Sequence, residues 1–196
     1  MFTGIVEGIG HIQSVEDTGS ERRFTIASGL VDQLAPGDSI AVNGVCLTAV
    51  AVVPGAVDVT AVTETLHRTN LGDLSDGSMV DLERPMPAAG RFDGHIVQGH
   101  VDGTALVAEI TSEGDSKRFR FTAGDDLLRY VVEKGSITVD GVSLTVTAIG
   151  DDYFELVLIP HTLEVTVLGH RRPGDRVNVE VDILAKYVER LLEVRQ

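Results

Sequence analysis

An all-β protein of two tandem six-stranded antiparallel barrels, followed by one α-helix, is the fold class predicted by these 196 residues. Three observations predict it. The first is a hairpin written twice. Ser39-Ile40-Ala41-Val42-Asn43-Gly44-Val45-Cys46-Leu47-Thr48 returns as Ser136-Ile137-Thr138-Val139-Asp140-Gly141-Val142-Ser143-Leu144-Thr145, identical at seven of ten positions. Each copy alternates apolar residues around Asn-Gly or Asp-Gly, the strongest short-range hairpin signal. The second is the reach of the repeat. Thr3-Gly4-Ile5-Val6-Glu7-Gly8 lines up with Gln98-Gly99-His100-Val101-Asp102-Gly103, and Arg23-Phe24 with Arg118-Phe119, at an offset of 95. From Ser39 the offset is 97, and it carries through Thr63–Leu66 against Pro160–Leu163 and Gly77–Glu83 against Gly174–Glu180. Such a period is a duplicated domain, too long for a solenoid. The third is a change of period at the end. Ile183, Leu184, Tyr187, Val188, Leu191 and Leu192 recur at helical spacing.

In chain order, the first unit predicts strands near 4–15, 21–27, 39–43, 45–53, 56–63 and 79–83. A helical turn falls at Leu30–Leu34, and Leu66–Leu74 reads as irregular. The second unit predicts strands near 97–111, 116–123, 136–140, 142–149, 153–159 and 176–181, with a helix over Asp125–Glu133. Six short strands with Gly-rich turns make a small closed barrel, which leaves no open edges. Arg84–Arg91, rich in Pro and Gly, is the linker stretch. The resulting division is a first barrel at 1–86, a linker at 87–93, a second barrel at 94–182 and a helix at 183–196, with Asp182 as its N-cap. That helix would dock on its own barrel or pair with its copies in other subunits.

Composition narrows the function. A net charge of −14 with nine Phe and Tyr and no Trp argues against a nucleic-acid surface, which needs basic grooves and stacking platforms. It also argues against an anionic membrane. One cysteine excludes an internal disulfide. No apolar run is long enough to span a bilayer, and the first residues lack a basic signal-peptide start. The expectation is a cytoplasmic protein acting on a small molecule. His67, His161 and His170 fall at no metal-ligand spacing, so no metal site is expected.

Chemistry concentrates on the repeated hairpin. Residues two apart on a strand share a face, so Cys46 with Thr48, and Ser143 with Thr145, form one polar wall in each half. Alone, Asn43-Gly44 and Asp140-Gly141 are turns, Cys46 is a packing thiol, and His100 and His95 are structural histidines.

The ensemble is more specific. Met1-Phe2-Thr3-Gly4-Ile5-Val6-Glu7, Asn43–Thr48, Glu64-Thr65-Leu66, Asn70-Leu71-Gly72, Gly94–Gly103, Lys134–Thr145 and Leu158–Leu163 together resemble the trimeric riboflavin synthases, in order and over essentially the whole chain. The resemblance implies two six-stranded Greek-key barrels and a C-terminal helix that holds a homotrimer. It implies a transferase reaction in riboflavin biosynthesis needing no cofactor or metal. Two molecules of 6,7-dimethyl-8-ribityllumazine would dismutate by four-carbon transfer to riboflavin and 5-amino-6-(D-ribitylamino)uracil. Each barrel would bind one lumazine, and active sites would form between subunits. Association with lumazine synthase is a further partner that some relatives show. The alternative of the same fold is a non-catalytic lumazine- or flavin-binding protein, which would be expected to lose one pocket; here both copies are kept.

Carried over residue by residue, the resemblance assigns the first pocket to Gly4, Ile5 and Val6, then Cys46, Leu47 and Thr48, then Thr60, Ala61, Val62, Thr63, Glu64 and Thr65. The second takes Gly99, His100 and Val101, then Ser143, Leu144 and Thr145, then Val157, Leu158, Ile159, Pro160, His161 and Thr162. Lys134 would reach a ligand shared with a neighbouring subunit. An imidazole can exchange a proton near working pH, which makes His100 the candidate for proton transfer. Ser143 would deliver or hold an attacking water or hydroxyl, with Thr145 beside it. Cys46 or Thr48 would assist at the acceptor ring, and Phe2 would close the site. His95, which has no counterpart in the first repeat, is read as structural. One departure concerns position 81, where Asp stands although the second repeat has Asn178, as relatives commonly do.

Overall fold

The computed structural model describes residues 1–193. In the first half the strands are β1 (Gly8–Asp17), β2 (Glu21–Ala27), β3 (Ser39–Val42), β4 (Val45–Val53), β5 (Ala56–Val62) and β6 (Met79–Glu83). The second half has β7 (Gly103–Glu113), β8 (Ser116–Thr122), β9 (Ser136–Val139), β10 (Val142–Ile149), β11 (Tyr153–Leu158) and β12 (Arg176–Val181). Each set closes antiparallel in the same Greek-key order, β1-β2-β5-β4-β3-β6 and β7-β8-β11-β10-β9-β12. The helices are α1 (Thr63–Arg68), α2 (Asp125–Leu128), α3 (Pro160–Val165) and α4 (Ile183–Glu193).

Three sequence expectations shift. Leu66–Leu74 is not irregular: α1 and a 3₁₀ turn at Asn70–Asp73 occupy it, and α3 with Val167–His170 repeats the arrangement. These pieces are too short to show an apolar period. Asp125–Glu133 holds only the single turn α2; beyond it the bonds tighten to Tyr130 N on Leu127 O and Val131 N on Leu128 O, and Lys134 is left-handed at φ 66°. The first strand of each barrel begins at residue 8 or 103, not 4 or 97, since the preceding segments leave their own barrel. The helix reading at 183–196 is met over Ile183–Glu193, and its last three residues lie outside the described ones.

Apolar alternation fills both barrels. Ile12, Phe24, Ile26, Ile40, Val59 and Leu82 pack the first. The second is built on Phe119, Phe121 and Phe154, with Phe121 stacked between the other two at 5.8 and 5.2 Å. Burying side chains of this size is worth roughly 1.5–3 kcal/mol each. Interiors so filled leave only outer surfaces for a ligand.

The barrels meet at an approximate two-fold passing between the two hairpin turns. Asn43 and Asp140 both adopt φ 46°, the left-handed turn that Asn and Asp tolerate. Gly44 and Gly141 touch through backbone alone, so a Cβ on Gly44 would lie 2.7 Å from the amide nitrogen of Gly141.

Candidate active site

The walls form as the alternation demands. On β4, Val45, Leu47 and Ala49 point inward, leaving Cys46 half-buried and Thr48 exposed on the outer face. On β10, Ser143 is half-buried and Thr145 exposed. Beside β4, Thr60 and Val62 of β5 point outward and Ala61 inward, and the chain turns into α1 through Thr63, Glu64 and Thr65. Beside β10, Val157 and Ile159 flank buried Leu158 before Pro160, His161 and Thr162 open α3. Lys134 is exposed, and its N–H donates to Val146 O at 2.8 Å.

The glycine segments are exchanged between the barrels. Gly4 lies against the second barrel, where Ser143 N donates to Gly4 O at 2.7 Å. Gly99 lies against the first, where Cys46 N donates to Gly99 O at 2.9 Å. Val6 packs on the second core and Val101 on the first. The grouping expected above is therefore corrected: Gly4, Ile5 and Val6 border the Ser143 wall, and Gly99, His100 and Val101 border the Cys46 wall. Both glycines have φ 77°, and a Cβ on either would sit 2.6 Å from the Cβ of Ser143 or Cys46. No other residue fits there.

The exchange also revises the histidines. His100 is exposed on the segment that borders Cys46. His95 is the residue that meets Ser143, with Nδ1 2.7 Å from Ser143 Oγ and Nε2 3.2 Å from Thr138 Oγ1. Burial lowers the His95 pKa, against a smaller upward pull from Asp182. Burial thus favours the neutral ring over the imidazolium. With the proton on Nε2 toward Thr138, Nδ1 is free to accept from Ser143 Oγ. From sequence, His95 reads as structural because the first copy lacks it, although a titratable residue beside a duplicated segment was itself a signal. Phe2 is fully buried against Ala41, Val97 and Cys46, and its backbone pairs with Val97. It braces the exchange from beneath and does not swing over a site.

Neither wall is an enclosed cavity. Clefts run beside the linker, between Ile5, Gln33, Arg84 and Met86, and beside α4.

Comparison with known proteins places this geometry. The lumazine binding domain family matches residues 3–85 and again 98–182. Riboflavin synthase of Mycobacterium tuberculosis is 52% identical over 98% of both chains. The enzyme of Actinobacillus pleuropneumoniae is 47% identical over 98% of this chain and 90% of its own. The chain belongs to the riboflavin synthase family. Among solved structures, LumP complexed with 6,7-dimethyl-8-(1'-D-ribityl) lumazine is similar at a TM-score of 0.84 and 27% identity, over 92% of this chain and 99% of that one. LumP complexed with riboflavin gives 0.85 and 29% over the same shares. Riboflavin synthases at 41% identity extend to Schizosaccharomyces pombe, covering 98% of this chain.

Proposed function

We propose that this member of the riboflavin synthase family converts two molecules of 6,7-dimethyl-8-ribityllumazine to riboflavin and 5-amino-6-(D-ribitylamino)uracil. One molecule would lie on the Cys46–Thr48 wall and one on the Ser143–Thr145 wall. The observation that carries this reading is the pair of equivalent walls, each completed by a glycine segment from the other half of the chain. A reaction between two copies of one molecule calls for two similar surfaces. The transfer moves four carbons from one ring to the other with no net oxidation, so the atoms balance without a co-reactant.

Holding the two rings in register is the main catalytic device, and good alignment supplies about 7–11 kcal/mol. Main-chain groups of Gly4–Val6 and Gly99–Val101 would orient the pyrimidine edges. The neutral His95 would accept the Ser143 hydroxyl proton, letting Ser143 take a proton from the lumazine 7-methyl or activate a water on the adjacent ring. The Cys46 wall is bordered by His100, but among the described residues no histidine is hydrogen-bonded to Cys46, and this wall would bind and align the other molecule.

We place the catalytic centre between subunits of a homotrimer. The walls are open, which supports a covering neighbour. α4 supports the same reading: its polar side docks on the second barrel, Lys186 to Asp102 and Glu189 to Arg129 and Tyr130. Its apolar side, Leu184, Tyr187, Val188, Leu191 and Leu192, is left 56–68% exposed.

The test is incubation with 6,7-dimethyl-8-ribityllumazine alone while riboflavin absorbance is followed. One riboflavin for every two lumazines consumed is the expected stoichiometry. Lumazine binding with a fluorescence change and no riboflavin would overturn the enzymatic reading.

A further inference from the structure

Two buried glutamates have no part in the chemistry above. Glu83 ends β6 and Glu180 lies on β12, equivalent positions of the repeat, and they are only 5% and 4% exposed. Among the described residues neither takes part in an ion pair. A buried carboxylate without a cation is costly unless hydrogen bonds satisfy it. Here main-chain N–H groups do so. Glu83 Oε1 accepts from Thr3 N at 2.6 Å and Thr3 Oγ1 at 3.0 Å, and Oε2 from Gly4 N at 3.0 Å. Glu180 Oε1 accepts from Gln98 N at 2.7 Å and Oε2 from Gly99 N at 2.9 Å. Burial raises the pKa of both, with the N–H donors pulling back down.

The direction of each clamp is the informative part. Glu83 belongs to the first barrel, yet the segment it grips gives its Gly4 carbonyl to Ser143 of the second. Glu180 belongs to the second barrel, yet its segment gives Gly99 O to Cys46 of the first. We propose that Glu83 and Glu180 are positioning residues that act crosswise, each barrel's glutamate setting the ligand wall of the other barrel. This rests on the reading that these walls bind lumazine, and goes beyond it by assigning control of each wall to a residue in the opposite half.

Glu83→Gln and Glu180→Gln test it, because Gln keeps the shape but turns an NH₂ toward an N–H. Loss of a charged hydrogen bond predicts about a ten- to hundred-fold fall in riboflavin formation for each. The discriminating readout is Cys46, the sole thiol of the chain. Its alkylation by iodoacetamide, titrated with 6,7-dimethyl-8-ribityllumazine, reports on one wall alone. Glu180→Gln is expected to raise the lumazine concentration that protects Cys46 about ten-fold or more, whereas Glu83→Gln leaves it within about two-fold. A loss of protection in Glu83→Gln, or equal effects in both variants, would overturn the crosswise assignment. Wild-type Cys46 that lumazine never protects would instead overturn the site reading beneath it. Should either variant fail to fold, amide exchange on the unliganded wild type decides the matter. The Thr3, Gly4, Gln98 and Gly99 amides are expected to exchange as slowly as the barrel strands, and rapid exchange would remove the clamp.

Discussion

Across the seam between the barrels, the first half places a carboxyl where the second places an amide. Asn178 and Asp81 face each other's halves in the same way. Asn178 Oδ1 accepts from Asn70 N at 2.6 Å, and Asp81 Oδ1 accepts from Val167 N at 2.9 Å. Asn178 Nδ2 then donates to Asn43 O at 2.8 Å, whereas Asp81 Oδ2 has no partner among the described residues. An amide can accept and donate at once; a carboxylate can only accept. Burial accordingly pushes the Asp81 pKa well above the usual carboxylate range, with Asp140 adding to the rise and Val167 N–H and Arg171 opposing it. The turns differ too. Asn43 is neutral, while Asp140, sealed from solvent, is held by Arg171 through Nε and Nη2 at 3.0 and 2.6 Å. The halves are alike in shape and unlike in charge, so shape carries the pseudo-symmetry while charge breaks it.

The largest break expected between the halves is in chemistry. His95→Gln should lower the rate about 10²–10⁴-fold, the usual worth of a positioned acid–base group. In the wild type, protonation of His95 should cut the rate on the acid side with a midpoint below the ordinary 6.5, and that limb should vanish in the variant. Steady-state rates against pH decide it, and an unchanged limb would return His95 to a structural role.

Next is Arg171→Leu, which strands Asp140 without its cation. Breaking a buried pair costs about 3–5 kcal/mol. The equivalent position of the first half already holds Leu74, and the turn residue there is the neutral Asn43. Urea unfolding measures the loss, and a change under about 1 kcal/mol would mean that the seam tolerates the bare acid.

Asp81→Asn should restore the missing donor and stabilise the fold by about 1–3 kcal/mol. The gain depends on pH. A carboxyl whose folded pKa is raised contributes its full stability below its unfolded pKa and loses it as pH climbs through the folded value. The variant has no such loss, so its advantage should widen from pH 4 toward alkaline pH in thermal melts. A constant or shrinking gap would show that Asp81 is ionised in the fold. The smallest effect expected is Cys46→Ser, less than about ten-fold on rate, because no histidine stands behind Cys46 as one stands behind Ser143. A loss as large as that of His95→Gln would make the two walls chemically equal.

Much of this was legible in the residues. The duplicated hairpin marked four of the twelve strands and both turns, since Asn-Gly and Asp-Gly tolerate the left-handed backbone that those turns need, and the wider repeat marked the other eight. The outward pairs Cys46/Thr48 and Ser143/Thr145 followed from alternation alone. The exchange of Gly4 and Gly99 was hidden for a physical reason. When two halves are equivalent, a segment that returns to its own barrel and one that crosses over make the same local contacts. Periodicity cannot tell them apart. His95 was obscured by standing just outside the repeat. The outward face of α4 was obscured because an amphipathic pattern does not say which side docks.

The traded segments have a consequence for dissection. The main-chain bonds of the traded segments form an equivalent pair, Ser143 N to Gly4 O and Cys46 N to Gly99 O, so two copies of a single half could supply both. A chain cut at the linker would leave its first barrel with an orphaned Gly4 strand and a vacant place for Gly99. A second copy could fill both at once. The half-length product is thus expected to be a swapped dimer, with ligand walls on its surface, and not a lone barrel.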